Sequence, residues 1–378
     1  MHYKKNILIT GSSGFIGSNL LIYLKNLENN FKVNLLKFNS SEKNIDKKTK
    51  NIDIVFHLAG VNRASSLKQF DNNFKFTNKI CNSLIKNHSK SIVIFASTFL
   101  IDKKNEITSK MHQRYISSKI QAENILKKYK SKTGNNIYIY RLPHIMGKWA
   151  KPNYNSVIAT FCYNIANGKQ TSLLNSNNKL FIVQIDEVIN SFLNTLYDKS
   201  RTSIIYLKHR SITVKKLYDK ILSIDKSIDK NFTTSLNSPF DKHLYSTFIS
   251  YLPKKRLTHS LKNNKDARGN FVECFKSNSF GQISFFTSNP KVNRGGHFHH
   301  LKCEIFIVIQ GEALFTSKSV KGGKIKKFYL SEKNLQVIRT VPGEIHMIKN
   351  IDKKKLIAML WSNEVFNKDT PDTYFINE

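Results

Sequence analysis

The stretch Asn6-Ile-Leu-Ile-Thr10-Gly11-Ser-Ser-Gly14-Phe-Ile-Gly17 decides the fold of the first half of the chain. It predicts a short buried strand, a glycine-rich turn and an apolar helix that continues to residue 27. Glycines at this spacing allow a tight turn and a close approach of the backbone to a pyrophosphate, which the helix N-terminus then faces. The stretch therefore predicts a dinucleotide-binding site near the N-terminus.

Apolar runs alternate with helical segments through the rest of this half. Strands are predicted at residues 33–36, 53–60, 91–98 and 136–141. Alternation of this kind is typical of an α/β doubly wound parallel sheet, in which ligands bind at the carboxyl ends of the strands.

The second predicted strand is followed by Lys37, where an acidic side chain would bind the 2′-hydroxyl of NAD. A cation at this place suits a 2′-phosphate instead. The sequence therefore favours NADPH as the cofactor.

The stretch Tyr115-Ile-Ser-Ser-Lys119 carries the predicted chemistry. On a helix, residues four apart share a face, so the ammonium is expected near the phenol. This proximity predicts a lowered tyrosine pKa and an acid–base role at a carbonyl or carbinol oxygen. A hydroxyl at the end of the strand before it, from Thr98 or from Ser97 if the register slips by one, would hydrogen-bond the same oxygen.

The second half changes character near residue 269, where short alternating strands replace helical spacing. Two motifs, residues 296–304 and 342–350, supply three imidazoles and one carboxylate, which suit a divalent metal such as Zn, Fe, Mn or Ni. The predicted ligands are His297, His299, Glu304 and His346. Their neighbours His300 and Cys303 would face the opposite side.

Bulk composition excludes little by itself. The 61 Lys and Arg residues against 26 Asp and Glu give a formal charge of +35, but the lysines are spread over every segment, so neither nucleic acid nor membrane binding is predicted. The four cysteines lack CxxC spacing and are expected to be reduced in a cytoplasm. Neither a signal peptide nor a membrane span is expected.

With these residues in view, the first two thirds resemble an extended short-chain dehydrogenase/reductase acting on nucleotide sugars. The resemblance implies a catalytic triad of Thr98, Tyr115 and Lys119. The predicted cofactor contacts are Gly11, Gly14, Phe15, Ile16, Gly17, Lys37, His57, Ala59, Gly60, Tyr115 and Lys119.

Residues 141–165 and 244–253 more narrowly resemble bifunctional capsule and O-antigen enzymes, and the metal motifs resemble a cupin barrel (jelly roll). The resemblance implies a reductase domain at 1–252, a metal-binding epimerase domain at 253–378, and a homodimer. It implies epimerisation at C3 of UDP-2-acetamido-2,6-dideoxy-4-hexulose and reduction at C4 by NADPH to UDP-2-acetamido-2,6-dideoxy-L-talose, the UDP-N-acetyl-L-fucosamine precursor. The predicted substrate contacts are Arg141, Lys148, Asn153 and Asn155.

Several alternatives stay open at this point. The epimerase base is unassigned, with His300 and Lys302 as candidates, and the metal could be catalytic or structural. The cupin could be a non-catalytic binding or dimerisation module. A 4,6-dehydratase with tightly held NAD is disfavoured because Phe99 and Leu100, rather than an acidic pair, follow Thr98.

Overall fold

The computed structural model describes residues 5–27, 31–36, 45–197 and 204–375, and for 31–36 it describes the backbone alone. The chain divides into two compact units, Met1–Ile221 with His243–Leu252, and Leu222–Lys242 with Pro253–Glu378. The sequence predicted a single boundary after residue 252, and that division stays a prediction. Residues 222–242 group with the second unit, where Asn231 and Thr233 exchange backbone hydrogen bonds with Lys276.

The strands of the first unit have two to seven residues, and the longest described helix has 24. The strands are β1 (Lys5–Thr10), β2 (Phe31–Leu36), β3 (Ile54–His57), β4 (Ile92–Thr98), β5 (Ile137–Leu142), β6 (His144–Met146), β7 (Lys179–Gln184), β8 (Ile204–Ile205) and β9 (Arg210–Thr213). The α-helices in the described part of the chain are α1 (Phe15–Asn26), α2 (Ile45–Lys48), α3 (Asp71–Lys86), α4 (Lys110–Thr133), α5 (Val157–Ala166), α6 (Ile185–Asn194), α7 (Val214–Ile228) and α8 (Pro239–Ile249). Short 3₁₀ segments lie at Leu67–Phe70, Phe99–Glu106 and Lys254–Arg256. Among the helices of the described residues, none combines the length and the apolar character needed to cross a bilayer.

The main sheet of the first unit has the order β2-β1-β3-β4-β5-β8, and all of its pairings are parallel. After β2 the chain crosses to the other side of β1, so the strand order reverses between β1 and β3. Ligands of such sheets bind outside the carboxyl ends of the strands at this reversal. The glycine-rich turn after β1 lies at that point.

Both faces of this sheet are covered, which explains why its strands are continuous apolar runs rather than alternating ones. In β1, Ile7 and Ile9 pack into one cluster that contains residues of α1 and α6, such as Leu20 and Phe192. Leu8 points the other way, into a cluster with residues of α3 and α4. The sheet is thereby held rigid behind its ligand-binding edge.

The second unit is an antiparallel β structure made of two sheets. Its strands are β10 (Asn263–Asp266), β11 (Gly269–Ser277), β12 (Gly281–Ser288), β13 (Asn293–Phe298), β14 (Glu304–Gln310), β15 (Glu312–Ser319), β16 (Lys326–Ser331), β17 (Val337–Arg339), β18 (Glu344–Asn350), β19 (Leu356–Ser362) and β20 (Tyr374–Phe375). The sheet orders are β10-β11-β12-β19-β14-β17 and β16-β15-β18-β13-β20. Inward-facing side chains of both sheets, such as Phe306 and Phe315, form one buried cluster. The predicted fold class, a doubly wound parallel sheet followed by an all-β cupin barrel, is confirmed.

Candidate functional site

Tyr115 lies in the first turns of α4 and faces the end of β4. Its phenol meets the hydroxyl of Thr98, the last residue of that strand, and its ring packs against Phe70 with 5.7 Å between centroids. Burial raises the pKa of Tyr115 to about 12, and hydrogen bonding with Thr98 offsets a smaller part of that rise. The predicted lowering of this pKa was wrong, because burial dominates and Lys119 is not among the groups that shift it.

The neighbouring hydroxyl, Ser97, points elsewhere. It donates to Oε1 of the buried Glu123 at 2.6 Å. Glu123 also accepts from Arg141, whose Nη2 lies 2.8 Å from Oε2. Because Ser97 is committed to this carboxylate, Thr98 is the hydroxyl available to Tyr115, which supports the first of the two predicted registers.

Lys119 is buried one turn along the helix from Tyr115. Its Nζ donates to the carbonyl of Ala96 at 2.6 Å and lies 4.2 Å from the ring centroid of Phe95. Burial lowers the pKa of Lys119 to about 7, and the negative charge of Glu123 offsets part of that change. The amine can therefore change its charge near neutral pH while held beside the strand ends.

The glycine-rich turn has no space for side chains at two positions. A Cβ on Gly17 would lie 2.1 Å from the carbonyl oxygen of Gly11, and one on Gly11, whose φ is +71°, would lie 2.7 Å from the nitrogen of Ala59. A Cβ on Gly14 would meet only the Gly11 carbonyl oxygen, at 3.2 Å. The turn after β1 and the turn after β3 are thus in direct contact, and α1 begins at Phe15 with its N-terminus directed to this edge.

The same edge includes Gly60 and Lys119. A Cβ on Gly60 would lie 3.8 Å from Nζ of Lys119 and 3.2 Å from Oδ1 of Asn73. The structure therefore gathers the predicted dinucleotide residues Gly11, Ala59 and Gly60 next to the predicted catalytic lysine. Backbone exposed without side chains beside a helix N-terminus fits a bound pyrophosphate.

Other predicted cofactor contacts have different surroundings. His57 is buried, with Nδ1 2.8 Å from Thr10 Oγ1 and Nε2 2.9 Å from Thr77 Oγ1, and burial, with the charge of Lys119, lowers its pKa to about 3. This ring joins β1, β3 and α3 rather than facing a ligand. Phe15 and Ile16 are partly buried against the first-unit core, and Lys37 lies outside the described residues.

The four predicted metal ligands converge in the second unit. His297 and His346 are register partners on β13 and β18, His299 follows β13, and Glu304 begins β14. One ligand atom from each lies within 4.8 Å of those of the other three. His300 and Cys303 lie outside this cluster, as the alternation predicted.

The donor set fits a metal ion. Nε2 of His299 and Nε2 of His346 lie 3.4 and 3.2 Å from Oε2 of Glu304, yet both nitrogens are buried without a hydrogen-bond partner. Two ligands bound at about 2.1 Å to one tetrahedral ion lie roughly 3.4 Å apart. The spacing is that of atoms arranged around a common centre.

The charge states also suit a metal. Burial lowers the pKa of His297 to about 4, with a further contribution from His346, so its ring is neutral near pH 7. Neutral imidazoles and one carboxylate are the ligand forms that bind a divalent metal.

Comparison with known proteins gives a family match for each half of the chain. Residues 7–196 match the family model described as "NAD dependent epimerase/dehydratase family", and residues 264–374 match "Polysaccharide biosynthesis C-terminal domain". A Pseudomonas aeruginosa protein named "UDP-2-acetamido-2,6-beta-L-arabino-hexul-4-ose reductase" is 34% identical over 371 residues, which is 97% of both chains.

The chain belongs to the NAD-dependent epimerase/dehydratase family.

Solved structures agree with this membership. The crystal structure of the Staphylococcus aureus capsular polysaccharide assembling protein CapF is 30% identical, with a TM-score of 0.86 over 99% of this chain and 100% of that one. A UDP-N-acetylglucosamine 4-epimerase from Methanobrevibacter ruminantium, 20% identical, shares the fold with a TM-score of 0.55 over 66% of this chain and 98% of its own. The predicted resemblance to capsular polysaccharide epimerase–reductases is confirmed, and family membership implies a nicotinamide dinucleotide cofactor.

In this family member the predicted substrate residues have mixed surroundings. Arg141 is committed to Glu123, Asp102 and the Tyr206 hydroxyl, which gives it a structural role in this structure. Lys148 pairs with Asp186 at 3.2 Å, leaving more than a third of its side chain exposed. Their roles as substrate contacts stay predictions.

The two asparagines of the 147–156 loop differ from each other. The Asn153 and Asn164 amides bond reciprocally at 3.2 Å, and Asn153 has a φ of +53°, so this side chain shapes the loop. Asn155 is exposed. Asn153 is exposed too, so the two differ in that the amide of Asn153 is bonded to Asn164.

Sequence reasoning missed two buried residues that hold the reductase site. Glu123 lies four residues after Lys119, hence on the same helix face, and this spacing was the available signal. Asn73 exchanges hydrogen bonds with the Val61 backbone and donates to Ser118 Oγ at 2.9 Å, which joins the turn after β3 to α4. Its distance in sequence from both partners left no local signal.

The candidate epimerase bases are also distinguishable. Lys302 is buried, and its Nζ donates to the carbonyl of Pro371 at 3.2 Å and to Thr373 Oγ1 at 3.0 Å. His300 is exposed and stacks edge-on with Tyr374 at 4.7 Å. Of these two candidates, His300 is the one whose side chain is exposed.

Proposed function

We propose that this protein makes UDP-2-acetamido-2,6-dideoxy-L-talose by two consecutive steps on one nucleotide sugar. The second unit epimerises C3 of UDP-2-acetamido-2,6-dideoxy-4-hexulose, and the first unit then reduces the C4 ketone. The observation that carries the proposal is the contact of Thr98 with Tyr115, together with the position of Lys119 beside Gly60 at the dinucleotide-binding edge. The printed name of the Pseudomonas aeruginosa relative supports the substrate class.

In the reduction, bound NADPH supplies the hydride. Tyr115 donates a proton to the oxygen on which negative charge develops, and Thr98 hydrogen-bonds the same oxygen. A phenol with its pKa raised to about 12 is fully protonated near pH 7, which is the form that a reduction requires. Lys119 lies adjacent to Gly60 and would bind the cofactor.

In the epimerisation, a bound divalent metal supplies Lewis-acid stabilisation of negative charge at the sugar ketone. His297, His299, Glu304 and His346 would hold it, with zinc as the expected ion. A proton must leave C3 and return to the opposite face, and His300 is the candidate for this role whose ring is exposed.

A UDP-4-keto-6-deoxy-N-acetylhexosamine in deuterated buffer tests both steps. We expect the wild-type chain to oxidise NADPH and to incorporate one deuterium at C3, and Tyr115→Phe to incorporate deuterium without oxidising NADPH. NADPH absorbance and the mass of the sugar are the readouts. Oxidation by the wild type without deuterium uptake would make the second unit a non-catalytic module. An absence of NADPH oxidation would remove the reductase proposal itself.

We further propose a homodimer formed through the six-stranded sheet of the second unit. Val337 and Met359 flank Ile307 in register on the sheet face opposite the core, and they are 48% and 41% exposed. An apolar outer face of this kind is typical of a protein interface. A monomer mass measured by light scattering would contradict the proposed homodimer. The cytoplasmic location of the protein also stays a prediction.

A further inference from the structure

The segment formed by residues 371–375, here called the C-terminal clasp, packs against the metal-ligand cluster. Its strand β20 pairs with β13, with Phe375 opposite His297 and Tyr374 opposite Phe298. The ring of Phe375 lies 5.6 Å from the ring of His297. The clasp thus covers the strand that carries the first predicted ligand.

Asp372 connects the clasp to the turn that separates two of the ligands. Its Oδ1 accepts from the backbone N–H of His300 at 2.9 Å, and its Oδ2 accepts from Leu301 at 2.8 Å and Lys302 at 2.7 Å. These three N–H groups lie between His299 and Glu304 in the sequence. One carboxylate therefore fixes the turn on which the spacing of both ligands depends.

The backbone of Asp372 acts on His299 directly. Its carbonyl oxygen lies 2.6 Å from Nδ1 of His299. A carbonyl can only accept, so Nδ1 carries the proton and the lone pair of the neutral ring is on Nε2. Nε2 is the buried, unpartnered nitrogen that faces Glu304.

Asp372 adopts an unusual conformation to make these contacts. Its φ is +39°, in the left-handed region that non-glycine residues rarely occupy and that Asp and Asn tolerate better than most. The side chain of Lys302 also holds the clasp, through Pro371 and Thr373. The contacts that Asp372 makes with both the turn and the ring of His299 stabilise its strained backbone conformation.

We propose that Asp372 is a positioning residue that preorganises His299 and the 300–302 turn for metal binding. It would set the tautomer and direction of His299 before the ion arrives, so that little reorganisation is left for binding. The inference rests on the metal role proposed for the four-residue cluster. Outer contacts of metal ligands commonly contribute about 10–100-fold to affinity.

The test measures metal affinity of the full-length protein without any sugar. Chelator-stripped wild type, Asp372→Ala, Asp372→Asn and the control Asp369→Ala are titrated with Zn²⁺ against a chromophoric chelator, and with Co²⁺ for its visible spectrum. Asp369 is an exposed carboxylate three residues away that makes none of the contacts above.

We expect Asp372→Ala to bind zinc about 10–100-fold more weakly than wild type, with a changed Co²⁺ spectrum, and Asp369→Ala to match wild type. Asp372→Asn keeps one acceptor oxygen and should fall between them, which preserves the test if the alanine variant does not fold. A variant with lowered thermal stability but unchanged zinc affinity and Co²⁺ spectrum would make Asp372 merely structural and overturn the inference. If wild type itself binds no metal, the proposed metal cluster fails together with the inference, whereas the outcome of the sugar assay affects neither.

Discussion

Glu123 and Arg141 form a two-pronged ion pair beneath the strand ends of the parallel sheet, with Nη2 2.8 Å from Oε2 and Nε 3.2 Å from Oε1. The carboxylate is almost fully buried, and the same Oε1 accepts from Ser97. The pair thus joins α4, which carries Tyr115, to β5, and the bond from Ser97 joins the same carboxylate to β4, which carries Thr98. The alignment of the two proposed catalytic hydroxyls depends on it.

Glu123→Gln should therefore destabilise the protein and the site together. The change leaves the guanidinium without its buried partner, and we expect a loss of about 3 kcal/mol in the free energy of unfolding, because Asp102 still faces Arg141. Removal of the carboxylate should also lower the pKa of Lys119 further. Urea unfolding measures the first effect, with the exposed Glu106→Gln as control. Equal stability of the two variants would contradict the role of the pair.

Substitutions of the two strand-end residues, Thr98 and Ser97, should affect the rate of ketone reduction differently. Thr98→Val should reduce the rate of ketone reduction by roughly 100-fold, as expected for loss of a donor at a developing negative charge. Ser97→Ala should leave the rate within a few-fold and cost about 1 kcal/mol of stability, since it loses its bond to Glu123. Steady-state kinetics with both variants decide the register, and a larger rate loss in Ser97→Ala would reverse it.

The glycine turn predicts a graded series in dinucleotide binding. Gly17→Ala would force a Cβ to within 2.1 Å of the Gly11 carbonyl oxygen, so we expect it to abolish binding or folding. Gly14→Ala meets that oxygen at 3.2 Å and requires a shift of only a few tenths of an ångström. NADPH fluorescence titration of the two variants should give a clearly tighter complex for Gly14→Ala. Similar affinities would mean that the turn is more adaptable than its packing indicates.

Lys119 should make stability depend on pH. Its folded pKa is about 7 against 10.5 in the unfolded chain, so between these values the unfolded state binds more protons and stability rises with pH. The cost of burying the charge is fully present below pH 7. Lys119→Met should therefore be more stable than wild type at pH 6, and the difference should shrink by pH 9.

Chemical denaturation at the two pH values gives the comparison for this variant. Lys127→Met, at an exposed position of the same helix, is the control and should show no such trend. A stability difference independent of pH would indicate that Lys119 is charged throughout this range.

Metal removal should separate the two proposed activities. Chelation removes the ion and Glu304→Gln removes the negative ligand of the cluster, so deuterium uptake at C3 should stop in both cases. Reduction of an already epimerised 4-keto sugar by NADPH should continue at an unchanged rate. Persistent deuterium uptake in metal-free protein would make the ion structural, and loss of both activities would indicate a folding requirement.

Much of this architecture could be predicted because the decisive signals are local. The glycine turn, the four-residue spacing of Tyr115 and Lys119, and the alternation of His297 and His299 are each set by the geometry of one element. The Asp372–His299 contact spans 73 residues, and the Glu123–Arg141 pair joins a helix to a strand, so spacing carried no trace of either. The direction of the Tyr115 pKa shift was predicted wrongly for the same reason, because it depends on burial in the tertiary structure.

The grouping of residues 222–242 with the second unit bears on how this gene can be rearranged. Because Asn231 and Thr233 bond to Lys276, a fragment cut at residue 253 would expose an unsatisfied edge of β11. We therefore expect a barrel fragment that begins at residue 253 to be less stable than one that keeps residues 222–242. Transfer of the barrel onto another reductase should therefore include residues 222–242 as well as 253–378. A chimaera that lacks residues 222–242 is expected to aggregate.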